Sequence, residues 1–259
     1  RVVAFSSTFW MMMQQERPER QVTFSSHSMS FKALVEVGFW QTNIVSEDSR
    51  IFWQCYNFFD GQYEVVPLLY PVSMDAAVDK TFWKTMKVIY KQQRRWAWGT
   101  ENLVYVLFGF IKNKNIALSK KLYHGFNLLE GYYSWATNAL VIFLMGWLPV
   151  ILGGRNFNVT VLSYNLPQIT RTIMTLAMIG LISSAVISIN MLPPKPPRYG
   201  RRQYIWMILQ WALMPLTTII FGSIPAIDAQ TRLMLGKYMG FWATPKSRLT
   251  PPLKSQERD

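Results

Sequence analysis

Lys91-Gln92-Gln93-Arg94-Arg95-Trp96-Ala97-Trp98-Gly99 is the stretch on which the reading of this chain turns. Before it lie mixed polar and apolar segments of soluble character. After it lie long uncharged runs of membrane character. The nine residues carry two amides, two adjacent guanidinium groups and two indoles. Guanidinium forks suit phosphate oxygens, and indole faces suit sugar rings or cations. The same composition also serves a juxtamembrane basic-aromatic collar, so the flanking sequence has to decide.

The composition narrows the choice. Half of the 259 residues are hydrophobic, 15% are aromatic, and the formal net charge is +13. A soluble basic protein would suggest nucleic acid. With these apolar runs, the basic residues are better matched to anionic lipid or substrate phosphate, and nucleic acid is not an expected partner. A lone cysteine, Cys55, excludes an internal disulfide, and two distant histidines, His27 and His124, form no recognisable zinc motif. The chain begins at Arg1 with no signal-peptide pattern, and it reads as a piece that lacks an N-terminal part.

Working outward toward the N-terminus, residues 80–98 follow a helical pattern with Phe82, Met86 and Ile89 on one face. Residues 63–70 are rich in β-formers and read as an edge strand interrupted by Pro67. Ser46 is a candidate N-cap, with Glu47 and Asp48 in the first turn and Ile51, Phe52, Cys55, Tyr56 and Phe59 at helical spacing until Asp60-Gly61. Residues 32–37 suggest a short helix closed by Gly38, residues 21–31 a short strand and polar turn, and residues 5–16 a helix ending before Pro18. The Ser26–His27 pair has no Gly-x-Ser-x-Gly elbow around it, which argues against a hydrolase.

Toward the C-terminus, the short apolar run 103–111 is flanked by Trp98, Lys112 and Lys114 and predicts an interfacial helix. No residue is charged between Glu130 and Arg155, between Arg171 and Lys195, or between Arg202 and Asp228. As a helix, each run reaches across a hydrocarbon layer of roughly 30 Å. These give expected spans at 131–154, 172–194 and 203–227, the third kinked or re-entrant at Pro215 or Pro225. Lys112, Lys114, Lys120, Lys121, Lys195, Arg198, Arg201 and Arg202 mark the cytoplasmic side, and the loop between the first two runs, with its Asn158-Val159-Thr160 sequon, is expected outside. Residues 228–259 form an amphipathic, then basic tail, placed inside by the charge rule.

Four short motifs carry a resemblance. Ser46-Glu47-Asp48 is similar to the Thr-Glu-Asp motif of membrane-bound family-2 glycosyltransferases, the group of cellulose, chitin and hyaluronan synthases. Gln92-Gln93-Arg94-Arg95-Trp96 resembles their Gln-x-x-Arg-Trp motif. Phe24-Ser25-Ser26-His27-Ser28 resembles Phe-Phe-Cys-Gly-Ser, with His27 for the glycine, and Phe241-Trp242-Ala243-Thr244-Pro245-Lys246 resembles the gating-loop motif Phe-x-Val-Thr-x-Lys.

The resemblance implies a combined α/β and membrane α-helical architecture. Residues 1–100 would be the C-terminal, acceptor half of a GT-A domain. An interfacial helix and linker (101–130), two to three transmembrane helices (131–227) and a gating-loop-like tail (228–259) would follow. It implies an integral plasma- or inner-membrane enzyme with its catalytic part in the cytoplasm. Sugar would pass from a nucleotide-sugar donor to a glycan or lipid acceptor, with inversion. By the same resemblance, Asp48 is the general base and Glu47 supports it. Arg95, Arg94 and Gln92 serve the diphosphate, and Thr244 and Lys246 close over the donor. Trp96, Ser26 and His27 line the acceptor. The family's metal-binding Asp-x-Asp is absent from this sequence, so the expected Mg²⁺ or Mn²⁺ would be held elsewhere in the parent enzyme, and this chain alone is expected to be inactive. A non-processive lipid glycosyltransferase and a non-catalytic membrane scaffold remain as alternatives.

Overall fold

The computed structural model of the chain describes residues 17–23, 27–68, 70, 77–145, 147–190, 202, 205–206 and 209–244. Among these residues every regular element is a helix. The expected acceptor half of an α/β GT-A domain is therefore corrected: no strand or sheet forms among the described residues of 21–31 and 63–70. The physical reason is visible in the packing. Val22, Tyr63 and Val65 lie as extended chain against the core of Phe52, Trp53, Tyr56, Val106, Phe110 and Ile116. They bury side chains without a neighbouring strand, and Pro67 has no N–H to offer one. The expected helix at 5–16 and the basic turn around Pro193-Pro194 lie outside the described residues.

Helix α1 (Phe31–Glu36) stops at Gly38 and Phe39, which both take positive φ, 82° and 67°. Helix α2 (Glu47–Phe58) carries the predicted acidic first turn and ends at Asp60-Gly61, also at positive φ. Helix α3 (Phe82–Ala97) begins at Thr81, whose hydroxyl accepts the Lys84 N–H. Arg94 and Arg95 fall in its last turn, where the helix dipole favours cations. A single 3₁₀ turn, Trp98–Thr100, swings the chain into α4 (Glu101–Lys112), which covers the expected interfacial run. Val106 and Phe110 of α4 are buried, while Val104, Leu107, Phe108 and Ile111 form an exposed apolar stripe at helical spacing.

Helix α5 (Leu118–Met145) is followed by two five-residue helices, α6 (Leu148–Leu152) and α7 (Gly154–Asn158), and by the long α8 (Val161–Asn190). The first uncharged run is thus interrupted near Pro149 rather than forming one rod over 131–154. The second begins earlier than residue 172, because Thr160 caps α8 by accepting the Ser163 N–H. Helix α9 (Gln210–Met234) opens with a 3₁₀ turn, widens into a π turn at Ile219–Ser223 and closes as a regular helix over Ile224–Met234. Among the described residues, two helices are long and apolar enough to cross a membrane: Val161–Ile187 within α8, and α9.

The site is positioned by one small core. Val45, just before α2, meets Ala97 and Trp98 at the end of α3, Ala136 of α5, and Ala226 and Ala229 of α9. Five of these six residues, four alanines and Val45, have small side chains, which lets the helices approach closely.

Candidate functional site

The site grows from the first turn of α2. Ser46 occupies the N-cap position, yet its hydroxyl does not cap its own helix. It donates to Oε1 of Glu101 at 2.6 Å, and the Ser46 N–H donates to the same oxygen at 3.1 Å. The other oxygen of Glu101 accepts the Trp98 indole N–H at 3.1 Å. Asn102 then bridges: its amide donates to Ser46 Oγ and Ser49 Oγ at 3.3 and 2.9 Å, and its carbonyl accepts Arg50 Nε at 2.6 Å. Arg50 also donates to Gln41 and stacks 4.0 Å over the Tyr105 ring. Burial pulls this guanidinium down from its ordinary value, and the Glu101 charge works against that pull. The result is a charge-assisted polar network that ties the start of α2 to the start of α4.

Asp48 Oδ1 accepts the Ser49 N–H at 2.9 Å, and the Asp48 carbonyl accepts the Thr23 hydroxyl at 2.7 Å. Thr23 directly precedes Phe24 in the sequence. His27 is half-buried, its ring 6.4 Å from that of Trp40. Ser26 and Lys246 lie outside the described residues.

The basic end of α3 faces α9 and the tail. Arg94 Nη1 donates to Asp228 Oδ2 at 2.7 Å, Arg232 Nε donates to Asp228 Oδ1 at 2.6 Å, and the Tyr90 hydroxyl donates to Oδ2 at 3.2 Å. Burial and the Asp228 charge raise the Tyr90 phenol above its usual range. Beyond α9, Gly236 and Gly240 at positive φ turn the tail back along α3. There the Lys91 ammonium lies 5.1 Å from the Trp242 ring and the Arg95 guanidinium 5.6 Å from the Phe241 ring. Tyr238 closes the turn, donating to the Asn43 carbonyl and meeting the Trp98 ring edge-on. Gln92 is half-buried on α3, and Trp96 is 42% exposed, its face free for a ring to stack on.

Nine described side chains carry a buried polar atom without a hydrogen-bond partner, and five of them were singled out by the sequence: His27, Glu47, Arg94, Arg95 and Thr244. Such atoms are rare in folded proteins and need an explanation. A polar ligand that satisfies them is one. The chemistry available is a carboxylate pair at a helix N-terminus, a guanidinium with an open Nε, and an exposed indole. No cluster of three or more His, Cys, Asp or Glu among the described residues could hold a metal ion, so the Mg²⁺ or Mn²⁺ implied by the resemblance finds no ligand set there.

Sequence reasoning missed Glu101, Asn102 and Asp228. Two of the three left a signal: Glu101 is an acid at a helix start, and Asp228 is a charge ending an apolar run. Compared with known proteins, the chain matches no family, no curated protein and no solved structure.

Proposed function

We propose that the chain belongs to a membrane-embedded inverting glycosyltransferase of the family-2 type, which moves a sugar from a nucleotide-sugar donor to a hydroxyl of a glycan or lipid acceptor. One observation carries the reading. Segments chosen as motifs on sequence alone, or residues directly beside them, make contacts across long stretches of chain. Thr23 bonds the acidic turn, Ser46 is joined through Glu101 to Trp98, and Phe241 and Trp242 cover the cations of α3. Five of the nine side chains with an unpartnered polar atom fall on the motif segments.

In this reading Asp48 takes the proton of the acceptor hydroxyl as its oxygen bonds to the anomeric carbon. The bond from that carbon to the diphosphate breaks on the opposite face, and the nucleoside diphosphate leaves. Arg95 offsets the charge developing on the diphosphate, because Arg94 is already committed to Asp228. Glu47 supports the base, Gln92 orients the donor, and Trp96 stacks the acceptor sugar. Ser26 and His27 line the acceptor side, and Thr244 and Lys246 close over the donor. Helix α4 lies in the cytoplasmic interface with its apolar stripe toward lipid, α8 and α9 lie in the bilayer, and the catalytic part faces the cytoplasm.

The test is donor binding and single-turnover transfer by the product of the complete gene in nanodiscs. Asp48→Asn keeps size and hydrogen bonding but cannot take the proton, so transfer should fall on the order of 10²–10⁴-fold with donor binding retained. Arg95→Lys should also fail, since an ammonium cannot reproduce a two-pronged contact to diphosphate. Normal transfer by both variants returns the basic-aromatic stretch to a membrane collar.

A further inference from the structure

The polar network between α2 and α4 does more than fasten two helices. We infer that Glu101 is a positioning residue for the proposed base: it sets where Asp48 stands relative to the Arg-Trp end of α3. This rests on the reading of Asp48 given above.

Three features support it. First, Glu101 takes both donors of the Ser46 residue, the backbone N–H and the hydroxyl, on one oxygen. Asp48 is two residues further on, so any shift of the Ser46 anchor moves the base with it. Second, the remaining oxygen of Glu101 holds Trp98, two residues after Trp96. A single carboxylate therefore spans the base-bearing turn and the turn that presents Arg95 and Trp96. Third, the space around it is fitted. The Tyr132 phenol of α5 stands against residue 99, in the turn between Trp98 and Glu101, and it reaches this place only because that residue is glycine. A Cβ on Gly99 would stand 2.8 Å from the Tyr132 oxygen. The groups that bond Glu101 are thus Ser46, the N-cap residue of α2, and Trp98 of the 3₁₀ turn, and the Arg50 charge of α2 acts on it.

Glu101 has no part in bonding to substrate in this arrangement. Its carboxylate is already occupied by three N–H and O–H donors. Its effect is geometric, and a displacement of about 1 Å at a reacting group can cost on the order of 10²-fold in rate.

The experiment compares the product of the complete gene with its Glu101→Gln, Glu101→Asp and Ser46→Ala variants in nanodiscs, reading kcat, donor affinity and amide hydrogen exchange of residues 46–50. Glu101→Gln replaces one acceptor oxygen with a donor that faces other donors. It should lower kcat on the order of 10²-fold with donor affinity unchanged, and accelerate exchange at 46–50. Glu101→Asp keeps the carboxylate on a shorter arm and should recover part of kcat. Ser46→Ala removes one donor without disturbing the charge and should give a smaller loss in the same direction, which keeps the test open if Glu101→Gln does not fold. Full kcat with unchanged exchange in Glu101→Gln and Ser46→Ala overturns the inference, as does an equal loss of donor affinity and kcat. If the unaltered protein transfers no sugar, the proposed function falls, and the exchange comparison still decides whether Glu101 fixes the α2 terminus.

Discussion

Helix α8 and the α2–α3–α4 unit satisfy their polar groups in opposite ways. In α8 the hydroxyls turn back onto their own helix: Thr170 to the Leu166 carbonyl, Thr172 to Gln168, Thr175 to Arg171, Ser183 to Ile179. No residue of its most apolar window is buried against the rest of the chain. In the motif unit, Ser46, Asn102, Arg50 and Arg94 reach across tens of residues for their partners. A helix facing hydrocarbon has to close its own hydrogen bonds, because neither lipid nor water supplies them there. A unit that shapes a site needs polar groups aimed at other elements. Helix α9 joins the two regimes, apolar and exposed at Leu213 and Leu216 but docked on α3 from Ala226 to Arg232.

The sharpest way to break this contrast is a pair of truncations read by thermal unfolding in detergent. Trp53 is 2% exposed in the aromatic core, and Trp53→Ala should cost about 3–5 kcal/mol. Leu176 of α8 is 63% exposed, and Leu176→Ala should stay within about 0.5 kcal/mol. Equal losses would show that α8 packs on the motif unit after all.

The clasp between α3 and α9 comes next. Asp228→Asn leaves Arg94 and Arg232 facing a neutral amide. Hydrogen bonds to charged groups are worth about 1.5–3 kcal/mol, and partial exposure of this pair places the loss at the low end. The triple change Arg94→Met, Asp228→Leu and Arg232→Met should recover most of it, since all three charges of the clasp are then removed together. Absence of recovery would mean that α9 docks through its alanines alone.

Gly99→Ala should cost about 1–3 kcal/mol by overpacking against Tyr132, and adding Tyr132→Phe should relieve it by removing the oxygen that the new methyl meets. Unfolding midpoints of the single and double variants decide this.

The smallest effect is a pH dependence. His124 lies between Trp53, Tyr56 and Tyr123, and burial together with the Lys120 charge lowers its pKa below the ordinary histidine value. The folded chain then resists protonation that the unfolded chain accepts. Stability is fully present above the ordinary histidine value and declines as pH falls below it. His124→Gln should flatten the unfolding midpoint between pH 7 and about 5.5. An unchanged slope would place the acid sensitivity elsewhere.

Several features were legible in the sequence because they are local. The spacing of Phe82, Met86 and Ile89 with Thr81 ahead of them specifies α3 to within two residues at each end. Asp60-Gly61 marks the stop of α2, and the run at 103–111 marks α4. Residues 63–70 misled for an instructive reason. Their β-branched and aromatic composition reports a half-buried extended chain, which is what they form, but a strand also needs a neighbour, and composition cannot supply one.

The sequence by itself determined where most of the helices can exist, that long charge-free runs follow residue 130, and which residue types gather around Arg94-Arg95-Trp96. These follow from helical periodicity, capping and charge-free length, all read within a turn or a run. Only the tertiary structure decided which groups are occupied. It commits Arg94 to Asp228, 134 positions away, and leaves Arg95 over Phe241. It turns the Ser46 hydroxyl from its own helix toward Glu101, 55 positions on. Those choices depend on which donor and acceptor meet once the helices pack. No local pattern encodes that meeting, because the groups compete for partners that the fold alone brings within hydrogen-bond reach.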